Sequence, residues 1–328
     1  MAVEFVETET LGVLEFLDGL PRPGTVQKIY NNLDLLRSTT AFLIAEPIAT
    51  LHATLGGLRR LGIEPSEIGI FEILPDKQPV GGSVPKSICG MCSQIDLRTG
   101  PVVLGVPPGC SGVVVDACFN VVVEICRSGP SEKNGEKFLF VPPGHKVTVT
   151  DEYRVFRSST FDHLVILTVD GSSEGMDTRF NLIKEQLNIF PLVLADSPPL
   201  EIFHCNVEEI FNTDCANGFR FFEELNEVIQ KEPADAFSPE LTGTLASVGI
   251  KRGVPFAPDA RMKRILTEAA AIGSATALAL TFNPRRDSAF TYPDRNWTLP
   301  FVGGGYDWMD RRVRRALTAK LNETRTQS

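Results

Sequence analysis

The chain has 328 residues, a formal net charge of −9 and a pI near 5.1. Such an acidic balance excludes a protein built mainly to hold nucleic acid, which needs a basic excess. Hydrophobic residues at 43% and charged residues at 22% are enough for a large core without disulfide or metal staples. Seven cysteines in this length form no disulfide framework, so a reducing, cytoplasmic location is expected. The first ten residues carry acids where a secretory signal needs Lys or Arg. No uninterrupted apolar run approaches the roughly 18 residues of a membrane span, so no membrane association is expected.

Residues 1–66 read as an N-terminal helical segment. Leu11, Val13, Leu14, Phe16 and Leu17 form a short apolar run closed by Asp18-Gly19. Thr25 is the expected cap of the next helix, in which Val26, Ile29, Tyr30, Leu33 and Leu36 follow helical spacing. Pro47 is expected to kink or divide that helix, and Gly62 to end it.

Between residues 67 and 174 the helical period gives way to β-branched runs separated by Pro and Gly. Strands are expected over 101–106, 113–125, 137–141, 146–150, 153–157 and 163–169. Val-Pro-Pro-Gly occurs twice, ending at Gly109 and Gly144. Pro then Gly at the central positions suits a type II turn. The pattern predicts a sandwich-like domain of mainly antiparallel strands. Residues 175–286 return to helix, with segments over 176–187, 217–231 and 239–246. An Ala-rich helix over 260–280 is capped by Asp259. From 287 the chain turns extended and aromatic, then ends in a basic tail over 310–328. The fold class is thus α+β: a sandwich-like core flanked by N-terminal helices and a C-terminal helical segment.

Taken as one strand, residues 113–126 put Asp116, Cys118, Asn120 and Glu124 on one face. That face is either the lining of a sandwich cavity or simply the wet side of a sheet. At ~3.3 Å per residue, Asp116 and Glu124 lie roughly 26 Å apart and Asp116 and Asn120 about 13 Å apart, so neither pair shares one ligand. Cys89-Gly-Met-Cys92 lacks the second pair of a zinc site and the following helix of a redox motif. Among the four histidines, His163 opens a strand beside Asp162 and is the candidate base, or else a structural residue. Arg157 is a candidate fork for a carboxylate or other anion. Tyr292-Pro-Asp-Arg-Asn-Trp297 offers a surface for a flat ligand, or interface packing. No phosphate-binding glycine loop, GxSxG or metal-binding histidine motif is found; no metal ligands are expected, and the sequence names no cofactor either way.

Further motifs carry a resemblance. They are Phe221-Phe-Glu-Glu-Leu-Asn226, Glu232-Pro-Ala-Asp235, Gly249-Ile-Lys-Arg-Gly253 and Pro255-Phe-Ala-Pro-Asp-Ala-Arg261, with Pro300-Phe-Val-Gly-Gly-Gly-Tyr306 beyond them. With both Val-Pro-Pro-Gly turns, Asp116, Glu124 and Val155-Phe-Arg-Ser158, they resemble the domain of unknown function 1254 family over most of the chain. The resemblance implies sandwich-like parts with intervening helices. Its members commonly carry a second β-rich domain, of the unknown function 1214 type, after the aromatic stretch. This chain is expected to hold only the start of that domain, because it ends about twenty residues after Tyr306. The family's Asn-x-Asp-Thr-x-Tyr pattern is also missing between Leu74 and Met91.

Three functional readings follow. The first is a hydrolase-like enzyme acting on a small polar or sugar-like substrate, with Asp116, Glu124 and His163 as catalytic candidates. Asn120, Arg157, Tyr292 and Trp297 would then contact the ligand. The second is a non-catalytic module binding a small polar ligand. The third is a truncated copy, whose exposed domain interface would pair two chains as a homodimer.

Overall fold

The computed structural model describes residues 2–72, 88–125, 135–148, 151–170, 181, 183–204, 214–283, 290–292 and 295–298. It opens with strands, not helix. β1 (Val3–Thr8), β2 (Gly12–Leu17) and β3 (Leu20–Pro21) form an antiparallel meander. The helical expectation for these residues fails at Asp18-Gly19. Both residues have positive φ, 49° and 78°, and Leu17 pairs with Leu20 across them. Two left-handed residues in a two-residue loop make a hairpin turn whose twist matches paired strands.

Helix α1 (Pro23–Arg60) follows. Its N-cap is Arg22 with Pro23 in the first turn, and Thr25 does other work. The Thr25 hydroxyl accepts from Glu15 N–H at 2.8 Å and donates to Glu15 C=O at 3.0 Å, tying the helix to β2. Pro47 does not divide the helix. Its interior cost of ~3 kcal/mol is offset by burial on both sides of the proline. Ala41, Phe42, Ala45 and Ile48 enter the helical core, and Leu51, Leu55 and Leu58 enter the sheet-facing core. Each buried leucine contributes about 2 kcal/mol. Among the described residues α1 alone is long and apolar enough to cross a membrane, with an 18-residue window of mean hydropathy 1.3. That window is 72% buried inside the protein, so its apolar surface serves as core.

Next come β4 (Ile68–Glu72), β5 (Ile88–Asp96), β6 (Val102–Val106), β7 (Cys110–Asp116) and β8 (Val121–Ile125). They are followed by β9 (Glu136–Val141), β10 (Arg154–Arg157), β11 (Asp162–Asp170), β12 (Asn188–Pro191) and β13 (Phe203–His204). Six of these form a sheet of order β13-β4-β5-β11-β7-β8, and four form one of order β10-β9-β6-β12. All pairs are antiparallel except β9 with β10 and β4 with β13. The two sheets pack face to face. Ile70, Met91, Val114, Val165 and Leu167 of the larger meet Leu104, Phe138, Phe140 and Ile189 of the smaller. α1 lies on the other face of the larger sheet, over Val115 and Leu164.

Two sequence expectations need correction here. Residues 188–204 sit in the stretch read as helical, yet β12 and β13 complete both sheets there; Ile189 and Phe190 are buried partners of strands distant in sequence. The single strand over 113–126 is instead a hairpin, β7–turn–β8. Residues 145–148 form no strand. Both Val-Pro-Pro-Gly turns stand, with Gly109 at φ 83° and Gly144 at φ 70°, and His145 N–H closes the second on Pro142 C=O at 3.2 Å.

α2 (Phe219–Lys231), α3 (Pro239–Ser247) and α4 (Ala260–Phe282) pack with α1 around Phe42, Phe221, Phe222, Leu225, Leu245 and Leu266. Asp259 caps α4 as its sequence predicts, accepting from Met262 N–H at 2.7 Å. Strands β14 (Phe290–Tyr292) and β15 (Arg295–Thr298) form a final hairpin. The basic tail, Tyr306 and most of the segment between Leu74 and Met91 lie outside the described residues.

Gly112, on β7 opposite Leu167 of β11, fixes how closely these central strands approach. A Cβ there would sit 2.0 Å from Ile166 O and 2.9 Å from Leu167 Cα. Both are backbone atoms and cannot turn aside. Gly112→Ala is expected to cost more than about 3 kcal/mol in urea unfolding; a loss below about 1 kcal/mol would show that the strands separate readily.

Candidate functional site

The polar groups converge at the N-terminal end of β11. His163 pairs directly with Asp116 of β7 and with Ile95 of β5. Side chains alternate along a strand, so His163 shares the face of Val165 and Leu167 and points between the two sheets. Its ring lies 5.8 Å from that of Phe140. The side chain is fully buried, and that burial pushes the imidazole down to about 4.

Both ring nitrogens are engaged. Nδ1 lies 3.2 Å from Phe161 C=O. A carbonyl can only accept, so Nδ1 carries the proton and Nε2 is left as an acceptor. The Ser158 hydroxyl lies 2.8 Å from Nε2 and therefore donates to it. Ser158 follows β10 directly and is half-buried. Its N–H donates to Val141 C=O at 2.9 Å, and its Oγ accepts from Thr160 N–H at 3.0 Å. The result is a hydroxyl on a neutral imidazole of fixed tautomer, the arrangement that activates a serine.

Asp116 anchors the turn beside this pair. Oδ1 accepts from Cys118 N–H at 2.9 Å and Asn120 N–H at 2.7 Å, and Oδ2 accepts from Asn120 Nδ2 at 3.1 Å. The chain reverses at Phe119, whose φ is 63°, and Asp116 N–H meets Asn120 C=O at 2.9 Å. The side chains placed about 13 Å apart by an extended strand are thus in contact. An aspartate that binds the main chain two and four residues on makes its own turn; the apolar residues around it hide that signal.

A second network occupies the opposite, helix-facing side of β11. Glu232 ends α2 and is 1% exposed. It accepts from Phe161 N–H at 2.6 Å and Asp162 N–H at 3.1 Å. Burial pushes its carboxyl up to about 7, and Asp162 adds to the rise. Its position at a helix C-terminus, where the dipole disfavours a negative charge, acts in the same direction. Gln94 Nε2 donates to Asp162 Oδ1 at 2.8 Å, and Arg98 Nη2 lies 3.6 Å from the same oxygen. Arg98 Nε donates to Asp96 Oδ1 at 2.8 Å. Burial pushes the Asp96 carboxyl up, but hydrogen bonds from Arg98 outweigh it and hold the group below its ordinary range.

The other sequence candidates fall elsewhere. Glu124 stands on edge strand β8 opposite Val113, about 10 Å along the sheet from Asp116 at the strand rise. Arg157 is exposed and donates to His145 C=O at 3.2 Å, bracing the turn there. Tyr292 and Trp297 lie in β14 and β15, with side chains outside the described residues. Reading the sequence alone missed Ser158 and Glu232. Ser158 is five residues before His163 with a bend between, which no strand or helix period brings together. Glu232 had one legible sign, a carboxylate at the wrong end of a helix. Cys92, of the CxxC, lies in β5, its thiol pushed up to about 12 by burial. Far from this site, a cleft of about 320 Å³ lies between α1 and α4, lined by Gln27, Tyr30, Asn31, Asp34 and Arg261.

Residues 88–191 match a family described as protein of unknown function (DUF1254). The match spans β5 to β12, including Ser158 and His163 and stopping short of Glu232. The solved structure of the VPA0106 protein from Vibrio parahaemolyticus, a structural-genomics target, is similar in fold. Its TM-score is 0.58 at 13% identity, over 78% of this chain and 62% of that one. The chain thus spans less than two thirds of that neighbour's length. No curated protein matches.

Two measurements check this description. Asp116→Ala removes an acceptor of three hydrogen bonds and is expected to cost about 3 kcal/mol, with Asp116→Asn costing less; equal, negligible losses in chemical denaturation would contradict the turn. Glu232 has a folded pKa near 7, above its ordinary value. Its contribution is therefore full below about 4.5 and is lost as pH rises through 7. Glu232→Gln does not titrate, so relative to the native chain it should fare better at pH 8 than at pH 5. The difference is on the order of 3 kcal/mol by linkage.

Proposed function

We propose that the protein is a cytoplasmic hydrolase-like enzyme acting on a small polar ester, with Ser158 as nucleophile and His163 as base. The observation that carries the reading is the 2.8 Å contact from Ser158 Oγ to His163 Nε2, with the tautomer fixed from behind by Phe161 C=O. As Oγ bonds to the ester carbonyl carbon, its proton passes to Nε2. Collapse breaks the bond to the leaving alcohol, which takes that proton. Water, giving a proton to the same nitrogen, then cleaves the acyl-enzyme and restores Ser158. An imidazole near 4 is neutral, and so able to accept, throughout the physiological range. Ser158 is half-buried, whereas His163 behind it is fully buried. The free thiols of Cys92 and Cys110 support a reducing compartment.

The cleft between α1 and α4 supports a second reading, a module that binds a small polar ligand. Arg261 is held there by Asn31 Oδ1 at 2.7 Å and Asp34 Oδ2 at 2.6 Å, a preformed polar floor beside the exposed ring of Tyr30.

A fluorophosphonate probe together with p-nitrophenyl acetate separates the two. Stoichiometric labelling at Ser158 and ester turnover, both lost in Ser158→Ala while its unfolding curve is retained, are the expected results. A native chain that neither labels nor turns over, or labelling that survives Ser158→Ala, would overturn the hydrolytic reading in favour of the second.

A further inference from the structure

We infer that Glu232 is the third member of the Ser158–His163 system, a positioning residue acting through one intervening peptide group; this rests on the hydrolytic reading above. The Phe161–Asp162 peptide has its C=O on His163 Nδ1 at 3.2 Å and its N–H on Glu232 Oε1 at 3.1 Å. A trans peptide is planar, and its resonance couples the two ends. A carboxylate on the N–H side therefore both fixes the plane of that carbonyl and increases the negative charge on its oxygen. The chain of contacts runs Ser158 O–H to Nε2, Nδ1–H to the Phe161 carbonyl, and the Asp162 N–H to Glu232.

In a serine triad a carboxylate holds the imidazole and stabilises the imidazolium. Here the peptide stands between the two, and hydrogen-bonded chains of this kind polarise one another cooperatively. A second bond, Phe161 N–H to Glu232 Oε2 at 2.6 Å, and Leu97 N–H to Phe161 C=O at 3.0 Å fix the peptide from both sides. Glu232 comes from the helical layer and His163 from the sheet, so the arrangement exists only when the two layers are docked. The charged groups facing Glu232 are Asp162 on β11, which disfavours its ionisation, and Arg98 beyond β5, which favours it. Arg59 of α1 lies one contact further out, on Gln94 Oε1 at 3.5 Å.

Glu232→Gln keeps the size and one acceptor but removes the charge. It is expected to lower kcat for p-nitrophenyl acetate by about tenfold or more while KM moves less than about twofold. Native activity should rise with pH through an inflection near 7, where Glu232 ionises, and the variant should lack it. Equal kcat and an unchanged pH profile would overturn the proposal and leave the Ser158–His163 pair standing. Nitrogen-15 NMR of the His163 ring gives a readout independent of turnover. In the native protein the Nδ1 resonance should shift with a midpoint near 7, away from the ring's own titration near 4, and in Glu232→Gln that step should vanish. A native Nδ1 resonance that is flat around 7 would overturn the coupling, even in a protein that hydrolyses nothing and even if the variant fails to fold.

Discussion

Strand β11 must be covered on both faces, and the architecture follows from that requirement. Val165 and Leu167 face the smaller sheet, while Leu164 and Ile166 face α1. With β5 and β7 on its two edges, the strand has no side open to water along its middle. A strand of this kind needs two layers to bury it, and the helical layer and second sheet supply them. α1 can remain one helix past Pro47 because it spans this requirement: its earlier part joins the helical core and its later part lies on the sheet.

The N-terminal end of β11 carries Asp162 and His163 side by side, and the same alternation divides these polar groups. Asp162 faces the helices and His163 faces the second sheet. Each was desolvated by folding, and each is met by a specific partner: Gln94 for Asp162, Ser158 and Phe161 C=O for His163. Unpartnered, such groups would cost several kcal/mol. The main chain between Ser158 and Asp162 links the two sets, so a carboxylate in the helical layer reaches an imidazole in the sandwich through ordinary peptide hydrogen bonds. Titration of Glu232 and His163 acts on stability in opposite senses as pH falls, because burial raises one and lowers the other. Much of the pH dependence of this end of the molecule therefore cancels.

The DUF1254 match covers β5 to β12 of the two packed sheets, and the Vibrio parahaemolyticus structure shares the fold at low identity. The fold thus persists across distant sequences, whereas the proposed chemistry rests on the particular side chains at the end of β11. Glu232 lies beyond the matched residues, in the helices that close over the sheet. The sandwich and the helices around it contribute to one candidate site.

Local chemistry determined a good deal from sequence alone. The Ala-rich helix and its Asp259 cap, the two Val-Pro-Pro-Gly turns, the end of α1 at Gly62, and most strands were legible because each depends on neighbours within about five residues. His163 and Asp116 were legible as residue types. The helical reading of the first strands failed at Asp18-Gly19, a local signal present in the sequence and passed over. Other features depended on partners far along the chain. Asp116 and Asn120 meet because the strand folds back, and β12 is a strand because β6 pairs with it. Ser158 gains an imidazole partner, and Glu232 a pair of amides, because a loop and a helix from separate regions dock at one strand end. Tertiary structure alone decided those meetings, since burial and hydrogen-bond satisfaction are properties of the packed layers and leave no period in the sequence.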